Sequence, residues 1–336
     1  MKIGNSYWGK KVLWYFITLI IAVFLNFLLP RLIPGNPVAT IVASMTAGMT
    51  DANAQKKVYD AYMAMFGLDK PIWQQFVIYI GNLFKGNMGI SFYNFPREVS
   101  DIIAAAIPWT LMLQIPAILV GWFFGNALGA ITAYRKGIFD RVFFPFFLFL
   151  SAIPAFGLAI VNVHFLANKA HLFPGGLGYA FDMLPNWGNP VFLLSVLDHY
   201  RLPFLTMVLV VIGGQALGMR EMSIYELNAD YVKYSRLMGI KDSKIVSYVF
   251  RNAMLPQITG LALSLGTMIG GNLITEIVFS YPGLGTTMFS AIRTQDFPLI
   301  SGCTLIITVT VLAANFLVDI ICGIIDPRVR AANEEG

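Results

Sequence analysis

Six apolar stretches of this chain, in addition to residues 32–50, carry no Asp, Glu, Lys or Arg for 18 residues or more. A helix needs about 20 apolar residues to cross the hydrocarbon core of a bilayer, so each stretch can span a membrane. A soluble domain has roughly 25% charged residues spread over its surface, whereas only 12% of this chain is charged. The pattern therefore predicts an all-α polytopic membrane protein with six transmembrane helices.

The distribution of Lys and Arg predicts the orientation of these spans. If the N-terminus is cytoplasmic, 14 of the 23 Lys and Arg fall in cytoplasmic segments. Their density there is roughly three times that of the external segments, as the positive-inside rule requires. Because six spans return the chain to its starting side, we predict N-in/C-in. The predicted cytoplasmic segments are 1–11, 135–141, 220–256 and 326–336. The predicted spans are 12–34, 102–134, 142–168, 202–219, 257–278 and 297–325, and the external segments are 35–101, 169–201 and 279–296.

Residues 220–256 are the most unusual loop, because they hold ten of the 41 charged groups of the chain. The first part, up to Met238, has no Gly or Pro and is predicted to be helical. Gly239 then breaks the helix, since glycine adopts positive φ readily. A second, short helix is expected from Lys241, with Asp242 or Ser243 as its N-cap. Its apolar side chains would form a docking face: Ile245, Val246, Val249 and Phe250.

The long external segment 35–101 is predicted to contain two amphipathic helices. One covers residues 55–66 and ends at Gly67, and the other covers residues 71–80 and ends at Gly81. We expect these helices to lie on the membrane or to cover the mouth of a pore.

Glycines and prolines inside the spans predict how the helices pack. Glycines at four-residue spacing allow a neighbouring helix to approach closely, and prolines bend or interrupt a helix. The glycines are Gly121, Gly125 and Gly129 in the second span and Gly266 and Gly270 in the fifth, and the prolines are Pro116, Pro145 and Pro154.

Few polar side chains lie within the spans, and each is a candidate for a translocation path because a polar group facing lipid is unfavourable. Each is equally a candidate for hydrogen bonding between helices. These residues are Gln114, Asn126, Asn162, Gln215 and Asn272. The sequence offers no catalytic group of recognisable pattern and no metal-binding spacing of His and Cys. A near match to a phosphate-binding loop at 4–11 has Lys11 where Ser or Thr is needed.

Three groups of residues carry a resemblance to a known family. Residues 230–239 and 251–256 resemble the EAA loop of ABC-importer permeases, in the form found in the dipeptide/oligopeptide branch. Lys233 stands where the general motif has Glu, and that branch commonly has a basic residue there. Residues 276–285, with the F-S-x-P-G-L-G turn, and residues 326–330, with the D-P-R-x-R tail, resemble the peptide-permease ending.

The resemblance implies a type I ABC importer permease fold and a B-type subunit that takes up peptides by alternating access. Its partners would be a second homologous permease, two cytoplasmic ATPase subunits and an extracellular binding protein, in a prokaryotic cell membrane. The chain itself would hold no cofactor, because ATP and Mg²⁺ bind to the ATPases. The implied ATPase-coupling residues are Asp230, Tyr231, Lys233, Arg236, Gly239, Asp242, Lys244 and Arg251.

Other functions stay open. The same architecture carries oligosaccharides or nickel in similar importers, and three aromatic residues of the external segments could stack on sugars: Tyr93, Trp187 and Tyr200. An ion-coupled secondary transporter would need ionisable groups within the spans and inverted repeats. A scaffold protein would not need a docking loop.

Overall fold

A computed structural model describes residues 4–32, 38–39, 42–43, 46, 51–135, 137–271 and 273–325. These residues are mostly helical, and their only strand-like pairing is an isolated bridge between Ile90 and Glu98. Residues Val163–Lys169 form a π-helix after α6. The α-helices are α1 (Gly4–Arg31), α2 (Ala52–Met65), α3 (Ile72–Phe84), α4 (Val99–Arg135), α5 (Gly137–Ala152), α6 (Ala155–Asn162), α7 (Pro190–Leu227), α8 (Asp230–Leu237), α9 (Asp242–Gly271), α10 (Leu273–Val278), α11 (Leu284–Arg293) and α12 (Phe297–Ile325).

Four of these helices are long and apolar enough to cross a membrane. They lie in the first, second, fourth and sixth predicted spans and cover Lys11–Arg31, Val99–Arg135, Pro190–Leu227 and Phe297–Ile320. A bent pair, Gly137–Ala152 with Ala155–Lys169, is a fifth candidate in the third predicted span. The fifth predicted span, 257–278, is divided between α9 and α10. Its residues Gly266, Gly270 and Asn272 lie outside the described side chains, as does the tail 326–336.

The chain forms two compact units. The first comprises Met1–Pro108 and Gly283–Leu312, and the second comprises Trp109–Pro282 and Ala313–Gly336.

In the first unit, buried Asp296 organises the loop that precedes α4. Its carboxylate accepts hydrogen bonds from the backbone N–H groups of Phe92 and Tyr93, both at 3.1 Å. It also accepts from the hydroxyl of Ser91 and from the N–H of Leu299 at 3.2 Å, which caps α12. A buried carboxylate is stable only with such partners. Asp296 therefore fixes this loop to the start of α12.

Helices α1 and α3 pack together in the first unit through aromatic rings. The ring centroids of Phe27 and Phe76 are 5.1 Å apart, and those of Phe27 and Tyr79 are 5.4 Å apart. The Asn26 side chain donates to the carbonyl of Ser301 at 2.7 Å, which ties α1 to α12. Helix α3 therefore has a fixed place against α1 and is not a loose surface helix.

In the second unit, the predicted glycine stripe of α4 allows close approach to α7. A Cβ atom built at Gly125 would lie 2.7 Å from Cβ of Gln215, and one at Gly129 would lie 2.3 Å from the carbonyl oxygen of Ala216. Real Cβ atoms do not approach so closely, so these positions require glycine. The packing role predicted for the stripe is confirmed for α4.

The prediction for prolines is confirmed only at Pro154. The pair that it separates is bent by 101°, because a proline lacks the N–H that would continue the helix. Helices α4 and α5 continue through Pro116 and Pro145. No break occurs at those two residues, because neighbouring helices support a proline within a packed helix. A bend at Pro116 or Pro145 stays a prediction.

Several helix ends differ from the prediction. Helix α2 begins at Ala52, three residues before the predicted start, with Asp51 as its N-cap, and is followed by Gly67 at φ 67°, where the helix was predicted to end. Helix α3 continues through Gly81 to Phe84, because glycine weakens a helix without ending it. Helix α7 begins at Pro190, 12 residues before the predicted span, with Asn189 as its N-cap. Proline suits the first turn of a helix, where its missing N–H needs no partner.

Candidate functional site

The charged loop 220–256 folds as a helix, a glycine turn and a second helix. Helix α8 ends at Leu237 with Met238 as its C-cap, and Gly239 follows with φ of 72°, as the sequence predicted. The N–H of Gly239 donates to the carbonyl of Arg236 at 3.0 Å, and that of Ile240 donates to the carbonyl of Ser235 at 3.1 Å. These two bonds form a Schellman motif, which needs a left-handed residue at the position of Gly239.

Two details of this loop differ from the prediction. The helix before Gly239 is not continuous, because it breaks at Asn228 and Ala229, where the backbone of Ala229 is extended. The Asn228 side chain donates to the carbonyl of Ile224 at 3.0 Å, a local bond that competes with helix continuation. The second helix is not short either, since α9 runs from Asp242 to Gly271 through Pro256.

The apolar face of α9 packs against α8. Val232, Ile245 and Val249 are buried together, with at most 4% of each exposed. Ile245 and Val249 therefore cannot form the predicted docking face, because they form the core of the loop itself. Val246 and Phe250 instead line a cavity of about 440 Å³ with residues of α4 and α7.

Large apolar side chains are exposed at the end of α8, as they are at Tyr225 on α7 and at Leu255 on α9. Leu237 and Met238 lie three and four residues after Tyr234, so all three share one helix face. Their exposed fractions are 65%, 83% and 78%. We call these three residues the α8 patch. A cluster of large exposed apolar side chains on a polar loop is typical of a protein interaction surface.

Polar contacts hold α8 and α9 to the end of α7. The Tyr231 hydroxyl donates to the Glu226 carboxylate at 2.7 Å, and the Asn252 side chain donates to the same oxygen at 3.3 Å. Burial, and to a lesser degree the bond to Glu226, raise the pKa of Tyr231 to about 12. The tyrosine is therefore protonated at physiological pH and serves as a hydrogen-bond donor.

A second contact joins α5 to α7 at the start of the loop. The Arg220 guanidinium donates to both carboxylate oxygens of Asp140, at 2.7 and 2.9 Å, and lies 4.3 Å from the ring centroid of Phe144. Bidentate pairs of this kind fix orientation as well as distance. This contact therefore fixes the orientation of α7 relative to α5 where the loop begins.

The structure places the predicted coupling residues on the outside of the loop, apart from half-buried Tyr231. Asp230 and Lys233 form an exposed ion pair of 3.1 Å on α8. The other exposed members are Arg236, Gly239, Asp242, Lys244 and Arg251. Lys233 and Arg236 lie on the same short helix as the α8 patch. The sequence did not predict this patch, because the apolar face was expected on the helix after Gly239.

The candidate path residues of the second unit make hydrogen bonds between helices or within them. The Gln114 side chain donates to Glu276 at 3.3 Å, and the Asn162 side chain donates to the hydroxyl of Thr206 at 2.8 Å. Asn126 donates to the carbonyl of Trp122 at 2.8 Å and to Gln215 at 3.5 Å. These contacts explain a packing role, and the path role stays a prediction.

Glu276 is a buried carboxylate that the sequence analysis did not single out as a candidate. It lies within the predicted fifth span and has no exposed surface. An ionisable residue in a span is a functional candidate by default. The available signal was its position directly after an uncharged stretch, but only the packing shows that it points inward.

Apolar helices of membrane-spanning length and a folded polar loop define an integral membrane protein. Comparison with known families makes the assignment more specific. The chain belongs to the family of binding-protein-dependent transport system inner membrane components, whose sequence pattern matches residues 125–331. The family resemblance predicted from the sequence is confirmed.

Three similar proteins illustrate the relationship. The di/tripeptide transport system permease protein DppB of Pseudomonas aeruginosa is 30% identical, over 91% of this chain and 93% of that protein. The dipeptide transport system permease protein DppB of Lactococcus lactis is 28% identical, over 94% of this chain and 95% of that protein. The glutathione transport system permease protein GsiC of Escherichia coli K12 is 31% identical, over 97% of this chain and 99% of that protein.

Proposed function

We propose that this chain is a permease subunit of an ABC importer that takes up short peptides from an extracellular binding protein. The similar proteins named above are permeases for dipeptides, tripeptides and glutathione, all of which are small peptides. They align over nearly their whole length, so the proposal applies to the complete subunit. The chain holds no ATPase site of its own, and ATP is hydrolysed by partner subunits.

We further propose six spans with both termini in the cytoplasm. Four helices and one bent pair support five of the spans, and α9 with α10 supplies the fifth in chain order. The charge bias between the loops supports the orientation. In this arrangement the charged loop and the α8 patch lie in the cytoplasm.

The exposed α8 patch is the observation that carries the coupling proposal. The loop has its own buried core and two polar anchors, so the patch is presented on a stable support. An ATPase groove that takes up Leu237 and Met238 would gain about 1.5–3 kcal/mol for each side chain that it buries fully. Cations on the same helix, such as Lys233 and Arg236, would then meet acidic groups at the rim of the groove.

Transport would follow from the coupling of this loop to two ATPases. When ATP brings the ATPases together, their grooves pull the coupling loops of this chain and of a second, homologous permease towards each other. The spans then open outward to receive the peptide. The heterodimer and the extracellular binding protein complete the proposed assembly.

A matched pair of variants tests the proposal. Leu237 on the α8 patch and Leu184 in the predicted external segment are 83% and 87% exposed, so Leu→Asp disturbs no core at either site. We expect Leu237→Asp to prevent co-purification of the ATPase subunits and to stop ATP-driven dipeptide uptake. Leu184→Asp should retain both. Equal ATPase binding by the two variants would show that the patch is not the docking surface.

Three alternative functions receive less support. Of the aromatic residues considered for sugar stacking, Tyr200 donates to the carbonyl of Met112 at 3.2 Å. Trp187 packs against Trp109 with ring centroids 5.2 Å apart, so both aromatic residues have partners within the protein. A secondary transporter would use Glu276 as a coupling group, but the family assignment favours ATP-driven import. Among the described residues, no group of three or more His, Cys, Asp or Glu could hold a metal ion, so the structure gives no support for nickel.

A further inference from the structure

The first unit contains a small polar cavity beside the end of α1. Its volume is about 140 Å³, which is below the roughly 300 Å³ of a site for a whole small molecule. The cavity is therefore of a size to hold one functional group. It is lined by Arg31, Phe66, Gly67, Gln75, Ile78, Tyr79, Asn82, Asn87, Met88, Gly89 and Pro298.

Arg31 is the only charged residue that the structure describes in this lining. Its Nε atom donates to Oε1 of Gln75 at 3.1 Å, and Nη1 donates to the carbonyl of Phe27 at 2.8 Å. The guanidinium also lies 3.7 Å from the ring centroid of Phe27. Gln75 is itself held, since its Nε2 donates to the carbonyl of Lys70 at 2.8 Å. The guanidinium is therefore fixed in position.

Arg31 retains donor capacity after these contacts. An arginine has five N–H donors, and the described part of the chain accepts hydrogen bonds from two of its nitrogens. No acidic residue is described in the cavity lining. The segment 33–50, which follows Arg31, contains no Asp or Glu in the sequence. A half-buried cation without an anionic partner is unfavourable unless an anion reaches it.

The other polar groups of the cavity are also donors. The Tyr79 hydroxyl accepts from Asn26 at 3.5 Å, and within the described residues its own O–H has no acceptor. The Oδ1 atom of Asn87 accepts from the N–H of Gly89 at 2.7 Å, so the amide N–H groups of this lining residue remain available as donors. Asn82 adds a second amide. A fixed guanidinium with hydroxyl and amide donors suits an anion with two oxygens.

We propose that this cavity is a carboxylate-binding site. The planar fork of arginine matches a carboxylate with two parallel hydrogen bonds, and the cavity is smaller than a site for a whole small molecule. The carboxylate must therefore project from a larger body that stays outside. In an importer of peptides, it belongs either to the C-terminus of the transported peptide or to an acidic side chain of the binding protein. This choice of source rests on the proposed function.

Saturation-transfer NMR with acetate tests the site directly. The purified transporter is placed in nanodiscs of zwitterionic phosphatidylcholine, and acetate, the neutral isostere acetamide and inorganic phosphate are compared. We expect saturation of acetate but not of acetamide, and acetate should bind more tightly than phosphate. Tighter binding of phosphate would overturn the proposal, because it would identify a site for a lipid headgroup.

Variants locate the binding. Arg31→Gln should weaken acetate binding at least about tenfold, which corresponds to about 1.4 kcal/mol. Arg97→Gln, which removes an exposed arginine of the same unit, should leave it unchanged. If Arg31→Gln does not assemble, Arg31→Lys and Asn87→Ala replace it, and both should weaken binding. Unchanged acetate binding in these variants would refute the assignment.

Two further arms identify the source of the carboxylate. Displacement of acetate by dialanine but not by dialaninamide would assign the site to the peptide C-terminus. Displacement by the peptide-free binding protein would assign it to an acidic side chain of that protein. Displacement by neither would overturn the proposal. Because these measurements need no ATP, their failure is distinct from failure of the proposed transport function, which ATPase co-purification tests.

Discussion

Replacing Gly239 with Val would test whether the backbone of the loop turn is required for coupling. Gly239 has φ of 72°, and no heavy atom lies within 4 Å of the position that its Cβ would occupy. The substitution therefore causes no clash and acts through backbone conformation alone. The left-handed conformation costs an L-residue roughly 1–2 kcal/mol. That penalty corresponds to about a 5- to 30-fold fall in the population of the native turn.

This penalty is small compared with the stability of a folded domain, which is about 5–15 kcal/mol. We therefore expect Gly239→Val to reach the membrane in normal amounts. Affinity for the ATPase subunits should fall about 5- to 30-fold, because α8 and α9 no longer hold their native angle. The assay measures ATPase binding to the purified permease pair and ATP-driven uptake of a labelled dipeptide into vesicles.

Gly239→Asn is the matched control, because asparagine adopts positive φ more readily than other non-glycine residues. It should retain most of the affinity and uptake. Normal uptake by Gly239→Val would show that the Schellman turn is not needed for coupling. An equal loss in both variants would show that the side chain, and not φ, disturbs the ATPase contact.

Two further predictions concern packing and pH. Gly125→Leu should destabilise the chain by about 1–3 kcal/mol or more through overpacking against α7. Gly214→Leu should be tolerated, because no atom lies within 4 Å of the position of its Cβ. Equal thermal stability of the two variants in detergent would contradict the packing argument. The pKa of Tyr231 is raised from 10.0 to about 12, so the stability that it contributes is complete below pH 10 and is lost only as pH rises through about 12. Tyr231→Phe should therefore lower the free energy of unfolding by about 0.5–1.5 kcal/mol, and by the same amount at about pH 6 and about pH 9. If thermal unfolding shows the loss at only one of these pH values, this role of the hydroxyl is refuted.

The sequence predicted the helical class because the absence of charge over a bilayer length has one physical explanation. It also predicted the turn at Gly239, since a glycine between two helical patterns has a local effect on the backbone. The residues at which helices begin and end were harder to predict from the sequence. Pro190 was placed in the predicted external segment 169–201, although Asn189 before it is a good N-cap and proline is favoured at the first position of a helix.

Burial could not be predicted from local patterns. Ile245 and Val249 share an apolar face, but the sequence does not show whether that face meets a partner or the same chain. The structure shows that Val232 covers it. Glu276 and Asp296 are likewise buried because residues distant in sequence supply their hydrogen bonds. Such contacts depend on the tertiary fold, which neither charge nor periodicity determines.

The length of α7 has a mechanical consequence. The helix spans 38 residues, and Pro203 is the proline in its interior. The arm from Pro203 to Leu227 is about 36 Å long at 1.5 Å per residue, which exceeds the roughly 30 Å of a hydrocarbon core. A tilt of only about 5° at Pro203 would swing the far end by about 3 Å. The helix can thus act as a lever. A small rotation within the membrane moves the loop far enough to change its contacts with another protein.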